Sequence, residues 1–294
     1  MSWPDAEVDI DDRLVRRLLA AQHPDLADLP LAVIDAGFDN LIYRLGDDLA
    51  LRLPRRVQAA TLIEHEQRWL PLIAPRLTLP VPVPLRLGRA AFGFPWSWSV
   101  VPWMEGEPGD RVAATDMAET GRRLGRFLKS AHLPAPPDLP HNPWRSGPVA
   151  SRADSFEDRI GRLRHHVDEG RLRSIWDQAV AAPVHGGPAL WLHGDLHPAN
   201  TLVRDGAVAA VIDFGDTCAG DPACDLGAAW MTVTQDGMAE FWSEYGAVDE
   251  ATVLRSFGWA VLFGLMLLDI GLENRPTYAD VGRSTLDRVS AQAD

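Results

Sequence analysis

The chain has 294 residues, enough for about two domains, and at 46% hydrophobic and 23% charged it can bury a sizeable core. With 28 basic against 41 acidic residues its formal charge is −13. That excludes a broad nucleic-acid-binding surface, which needs a basic stripe to neutralise phosphates. Two cysteines, Cys218 and Cys224, exclude a disulfide framework and a four-cysteine zinc site and suit a reducing cytoplasm.

The start, MSWPDAEVDIDDR, is acidic and lacks the apolar run of a signal peptide. Residues 9–22 have the spacing of an amphipathic helix with acids in its first turn. Residues 31–53 change period and predict short strands, broken at Ala36-Gly37 and at Gly46-Asp47-Asp48. Helical spacing returns over 58–73, proline-spaced extended chain follows over 79–89, and FPWSWSVVPW reads as a strand. A polar linker at 103–110 precedes helical stretches near 114–132, 154–181, 222–246 and 251–272. The segment 133–148 holds six prolines and reads as a surface excursion. The longest apolar run, Trp259 to Leu268, is too short to cross a bilayer and predicts a buried helix. The expected architecture is α+β: a sheet-plus-helix lobe over 1–101 and a larger, mainly helical lobe over 102–294.

Chemistry concentrates in WLHGDLHPANTLVRDGAVAAVIDFGDTCAGDPACDLGAAW, residues 191–230. Asp195 lies in a glycine-containing turn ahead of Asn200. TLVR and AVAAVID flank Asp205-Gly206, a two-residue hairpin signal. That hairpin pairs 204 with 207, 203 with 208 and 200 with 211, so Asn200 and Asp213 meet at its open end. An amide oxygen and a carboxylate are hard ligands that suit magnesium, which draws the rest of its shell from water and substrate phosphates. A separate carboxylate, Asp195, can accept a hydroxyl proton. A metal pair plus a base is the equipment of phosphoryl transfer to an alcohol. His193, Asp195 and His197 also fit a metal-hydrolase cluster, but that chemistry wants further ligand histidines.

HGDxxxxN followed by IDFGD and GDPxxDL resembles the aminoglycoside phosphotransferase family, small-molecule kinases of the protein-kinase-like bilobal fold. The resemblance implies a Mg2+-dependent kinase with ATP or GTP as donor. It implies Asp195 as catalytic base, Asn200 and Asp213 as metal ligands, Asp225 as the buried carboxylate tying the catalytic loop, and His193 and Asp221 as structural support. Gly37 and Asn40, in the turn Ala36-Gly37-Phe38-Asp39-Asn40, fall where that family covers the phosphates. Pro102 and Met104 match the positions facing the nucleotide base; proline offers only its carbonyl, and Met104 can donate its N–H.

One departure is plain. Of the 28 basic residues 27 are arginine, Lys129 being the only lysine, and the family's strand lysine is replaced by Arg52 in LALRLPRR. Arginine binds phosphate through two parallel N–H bonds, and the LRLPRR stretch is similar to macrolide kinases of the same superfamily. Alternation puts Arg52 on the face opposite Leu51 and Leu53, with Glu66 on the next helix as its partner rather than Glu64. Residues 205–294 carry 15 acids against 4 arginines, net −11. That excess predicts a cationic acceptor such as an aminoglycoside, with Asp216, Glu244 and Asp269 as its contacts. The alternatives are a nucleotide-binding protein without transfer activity, or a kinase for a non-antibiotic metabolite. A small-molecule partner is expected, without nucleic acid or membrane.

Overall fold

The computed structural model describes residues 5–37 and 39–292. Phe38, in the turn expected over the phosphates, and the first four residues of the acidic start lie outside them. The chain opens with α1 (Asp12–Gln22), capped by Asp11, whose carboxylate accepts the Leu14 N–H at 2.7 Å. Next come β1 (Leu31–Ala36), β2 (Asn40–Leu45), β3 (Leu49–Pro54), α2 (Val57–Ile73), β4 (Arg86–Gly88) and β5 (Trp98–Pro102). The five strands form one antiparallel sheet in the order β1-β2-β3-β5-β4. Val15, Leu18 and Leu19 of α1 share a core with Tyr43, Leu51, Leu53, Trp98 and Val100. Period-two alternation along β3 therefore turns Arg52 away from α1 and towards α2. That placement follows from the pattern of the strand.

The remaining chain is mainly helical. The linker at 103–110 contains a two-residue strand, β6 (Glu107–Pro108), followed by α3 (Met117–Ala131). The helical spacing over 154–181 resolves into two helices, α4 (Ala153–Leu163) and α5 (Glu169–Ala181), the second capped by Asp168. Then come β7 (Leu190–Leu192), β8 (Thr201–Arg204), β9 (Ala207–Val211), β10 (Cys218–Gly220), α6 (Ala223–Thr232), α7 (Gln235–Tyr245), α8 (Glu250–Asn274) and α9 (Pro276–Gln292). The last helix was not among the expected elements.

Helix α8 carries the apolar run and is long and apolar enough to span a bilayer by length and composition. Here its residues pack as the centre of the helical core against α4, α5, α6 and α9.

Asp205 and Gly206 both take positive φ, 53° and 82°, the geometry of a tight hairpin turn that matches strand twist. The pairs 204–207 and 203–208 form as expected, but a bulge shifts the register beyond them. Thr201, not Asn200, therefore faces Val211, while Asn200 accepts the Ile212 N–H through its carbonyl at 2.9 Å. One inserted residue moves the pairing by one position and leaves Asn200 beside the strand's exit.

Candidate active site

Strands β7 and β10 pair antiparallel, Leu192 opposite Cys218, so the turn after β7 lies against the segment before β10. Gly194 adopts φ 84°, and a Cβ there would stand 2.5 Å from the Asp216 carbonyl oxygen. Only glycine fits this turn on both counts. Asp225, at the start of α6, fastens the turn by accepting the N–H groups of His193 at 2.6 Å and Gly194 at 2.9 Å. Burial disfavours its charge, but hydrogen bonding and charge from His132, with help from His193 and the Gly194 N–H, hold its carboxyl below the ordinary value. His193 Nε2 meets the Ile212 carbonyl at 3.0 Å, so that nitrogen carries the hydrogen, and Nδ1 accepts the Asp195 N–H at 3.2 Å. Asp221 is locked to Arg255 at 2.6 Å and accepts the Ala223 N–H at 3.0 Å.

These ties fix Asp195. Asn200 Nδ2 donates to its carbonyl at 2.8 Å, His197 Nε2 lies 3.5 Å from its Oδ2, and Arg145 Nη2 donates to its Oδ1 at 2.8 Å. Burial works against ionisation, yet His197 and Arg145 outweigh it and hold the carboxyl well below the usual carboxylate range. Asp213 follows β9 with φ 65°, an unfavourable conformation for a residue with a side chain, and its carboxylate is 41% exposed. Asn200 Oδ1 accepts no hydrogen bond among the described residues, because Nδ2 carries the structural contact. One free amide oxygen and one open carboxylate form a donor set that suits magnesium. Among the described residues no group of three or more His, Cys, Asp or Glu forms a metal site, which leaves the hydrolase-type cluster without its further ligands.

Arg52 joins the sheet to this centre. Its Nη1 donates to Glu66 Oε2, and its Nη2 to Asp213 Oδ1 at 2.7 Å. Glu66, not Glu64, is the partner; Glu64 accepts the Ser97 hydroxyl at 3.1 Å. Glu66 also accepts the Phe214 N–H at 3.1 Å. Burial raises the Glu66 carboxyl above its ordinary value, with Arg52 opposing. In the β1–β2 turn the Gly37 N–H donates to the Asn40 carbonyl at 2.9 Å, Arg55 Nη1 to the Gly37 carbonyl at 2.9 Å, and Arg56 Nη2 to Asp39 Oδ1 at 2.5 Å. Asn40 Oδ1 is buried without a partner. Asp39 is raised by burial, eased by Arg56, and raised further by Asp213 and Asp195, so the turn lies within electrostatic reach of the catalytic segment. At the exit of β5, Pro102 stands opposite Leu49, and the Trp103 N–H goes to the Asp48 carbonyl at 2.7 Å. The Met104 N–H has no backbone partner among the described residues.

Each of the three acids expected around an acceptor has a hydrogen-bond or ion-pair partner within the protein. Asp216 accepts from Asn142 Nδ2 at 2.7 Å, and its carboxyl is pushed up to about 6 by burial and then by Asp195 and Asp213. Glu244 pairs with Arg126 across α7 and α3 at 2.8 Å. Asp269, on α8, pairs with Arg162 of α4 at 2.5 Å. The larger correction concerns residues 133–148, which are no mere surface excursion. Asn142 builds a turn in which its carbonyl accepts the N–H groups of Arg145 and Ser146 and its side chain accepts that of Trp144. That turn delivers Arg145 to Asp195. The Asn-Pro dipeptide marked the turn, but nothing in the sequence marked its destination.

A bilobal fold with a sheet-borne cation, a carboxylate on the following helix, and an Asp…Asn…Asp centre in the helical lobe defines a kinase-like phosphotransferase. The family model described as the phosphotransferase enzyme family, APH, matches residues 30–262, and the chain belongs to that family. The family is one of phosphotransferases. No curated protein matches the chain. Among solved structures, the GDP and kanamycin complex of APH(2")-IIia is similar, at 18% identity and TM-score 0.71, over 95% of this chain and 99% of that one. The macrolide 2'-phosphotransferase MphH from Brachybacterium faecium is similar at 21% identity and TM-score 0.60, over 94% and 98%. The streptomycin-ATP-APH(2")-IIa complex aligns at 16% identity and TM-score 0.60, over 91% and 93%. At these identities the likeness establishes the fold.

Proposed function

We propose that the protein is a Mg2+-dependent kinase that moves the γ-phosphoryl group of ATP or GTP to a hydroxyl of a small molecule. The observation that carries this reading is the junction of Arg52 with Glu66 and Asp213, set beside Asp195 and Asn200. Residues 1–101 form the nucleotide lobe and 102–294 the catalytic and acceptor lobe. Gly37 and Asn40 lie over the phosphates, Arg52 grips them, Glu66 orients Arg52, and Pro102 with Met104 faces the base. Asn200 Oδ1 and the Asp213 carboxylate would hold magnesium, which would supply positive charge to offset that of the phosphates.

Asp195 orients the acceptor and receives its proton. The acceptor oxygen bonds to the γ-phosphorus, the bond from that phosphorus to the β–γ bridging oxygen breaks, and the nucleoside diphosphate leaves. A carboxylate held this far below the usual range is a weak base, so its larger contribution is alignment of the hydroxyl. That suits a loose transition state in which the proton moves late. The solved complexes with GDP and ATP support nucleotide binding in this fold.

A cationic acceptor such as an aminoglycoside is the second reading, favoured by the kanamycin and gentamicin complexes of the similar structures. The deciding experiment is nucleotide turnover with and without Mg2+ across aminoglycosides, macrolides, cyclic-peptide antibiotics and simple amino alcohols. Turnover that requires both Mg2+ and an added alcohol supports transfer. Tight nucleotide binding with no turnover on any alcohol leaves a nucleotide-binding protein.

A further inference from the structure

Three arginines cluster between α3 and α5; Arg145 is paired with Asp195, while Arg152 and Arg159 make no ion pair among the described residues. Arg145 comes from the Asn142 turn, Arg152 ends the 3-10 turn Val149–Arg152, and Arg159 lies two helical turns further along α4. In each, Nε is buried without a hydrogen-bond partner. Arg145 lies 4.7 Å over the Phe263 ring while its Nη2 holds Asp195. Arg152 makes no ion pair or hydrogen bond among the described residues; its guanidinium lies 4.6 Å over Trp144, an indole 59% exposed. Arg159 reaches only Ser155, one turn back on its own helix, at 2.5 Å to the hydroxyl. Arg152 and Arg159 are half-buried as whole residues.

The three also repel one another. Burial, then Arg145 and Arg159, hold Arg152 below the ordinary arginine value. Burial also lowers Arg159, with Asp269 opposing and Arg162 and Arg145 adding. A half-buried cation without a partner is costly, and neighbouring unpaired cations compound the cost. Of the three acids that a polyamine would need, Glu244 is engaged by Arg126 and Asp269 by Arg162, and Asp216 accepts from Asn142 with its carboxyl raised by burial and Asp195. What fits forked donors beside an exposed indole is an oxyanion, which takes two parallel N–H bonds from a guanidinium.

We propose that the acceptor is an alcohol bearing an oxyanion, carboxylate or phosphate, which Arg152 and Arg159 hold while its hydroxyl lies at Asp195. The proposal rests on Asp195 as the acceptor-facing carboxylate, and it replaces the cationic acceptor by an anionic one. The signal in the sequence is the seven-residue spacing of Arg145, Arg152 and Arg159, which puts the last two on one helical face.

The test is calorimetric titration of the full chain with Mg2+ and a non-hydrolysable ATP analogue, which fills the phosphate site at Arg52. The probes are gluconate, glucose 6-phosphate, glucitol and kanamycin. Gluconate or glucose 6-phosphate should bind at least tenfold more tightly than glucitol, and the better of the two tells carboxylate from phosphate. Arg152→Gln should weaken that probe tenfold or more, and Arg152→Lys should recover part of the loss; Arg159→Gln serves if Arg152→Gln does not fold. Tightest binding by kanamycin overturns the proposal. So do oxyanion probes no better than glucitol, and unchanged affinity in the glutamine variant. Failure of the kinase reading shows separately, as absence of Mg2+-dependent binding of both this analogue and its GTP counterpart; titration without nucleotide then still reads the arginines.

Discussion

Arg52 and Asp213 lie 161 positions apart in sequence and meet through Nη2 and Oδ1 at 2.7 Å. The same guanidinium holds Glu66 through Nη1. One side chain thus couples the sheet, helix α2 and the Asp213 end of the hairpin, where a lysine would offer a single compact charge.

Arg52→Ala should weaken nucleotide binding and lower turnover together. Breaking a buried charge pair on one side costs about 3–5 kcal/mol, so thermal stability should fall as well. Glu66, already raised by burial with Arg52 opposing, should then take up a proton. Arg52→Lys should keep part of the activity. Glu66→Ala should add less than its full effect to Arg52→Ala; full additivity in the double-mutant cycle would show that the pair carries no coupling energy.

Asp195→Asn should lower kcat by about 10²–10⁴-fold with nucleotide affinity nearly unchanged, because Asp195 contacts Arg145, His197 and Asn200 but neither Arg52 nor Asp213. Turnover within threefold of the parent enzyme would refute the assignment.

Asp213→Ala should abolish turnover and remove the magnesium dependence of nucleotide affinity. Titration of nucleotide with and without Mg2+ is the measurement, and an unchanged magnesium-linked difference would place the metal elsewhere.

Asp216 is held at about 6 against 3.8 for a free aspartate, by burial and then by Asp195 and Asp213. The folded chain therefore binds this proton more tightly than the unfolded chain. The stability it contributes is complete below about pH 4 and is lost as pH rises through about 6. Asp216→Asn, which can still accept from Asn142, should melt higher than the parent at pH 7.5 and show no such advantage at pH 4. Parallel melting curves across that range would contradict the assignment.

Arg255→Ala should destabilise the protein by about 3–5 kcal/mol, since it strips a pair whose side chains are 3% and 7% exposed and leaves Asp221 buried. Denaturant midpoints measure it. A loss within about 0.5 kcal/mol, the range of ordinary surface substitutions, would mean that the pair is not structural.

The sequence by itself determined what short-range patterning encodes. Alternation along LALRLP set the face of Arg52, Asp205-Gly206 set the hairpin, and the spacing of Asp195, Asn200 and Asp213 set them in one segment of the helical lobe. Tertiary structure alone decided where long-range partners land. A bulge moved Asn200 by one position, the proline-rich turn at Asn142 carried Arg145 to Asp195, and α9 packed against α8. It also distributed the acids of residues 205–294, whose composition suggested a cationic pocket. Asp221 and Asp225 went to buried ties, Asp249 to the cap of α8, and Glu244 and Asp269 to arginines. Net charge is a sum over sequence, whereas a binding site depends on which charges remain unpaired at one place, and packing alone fixes that.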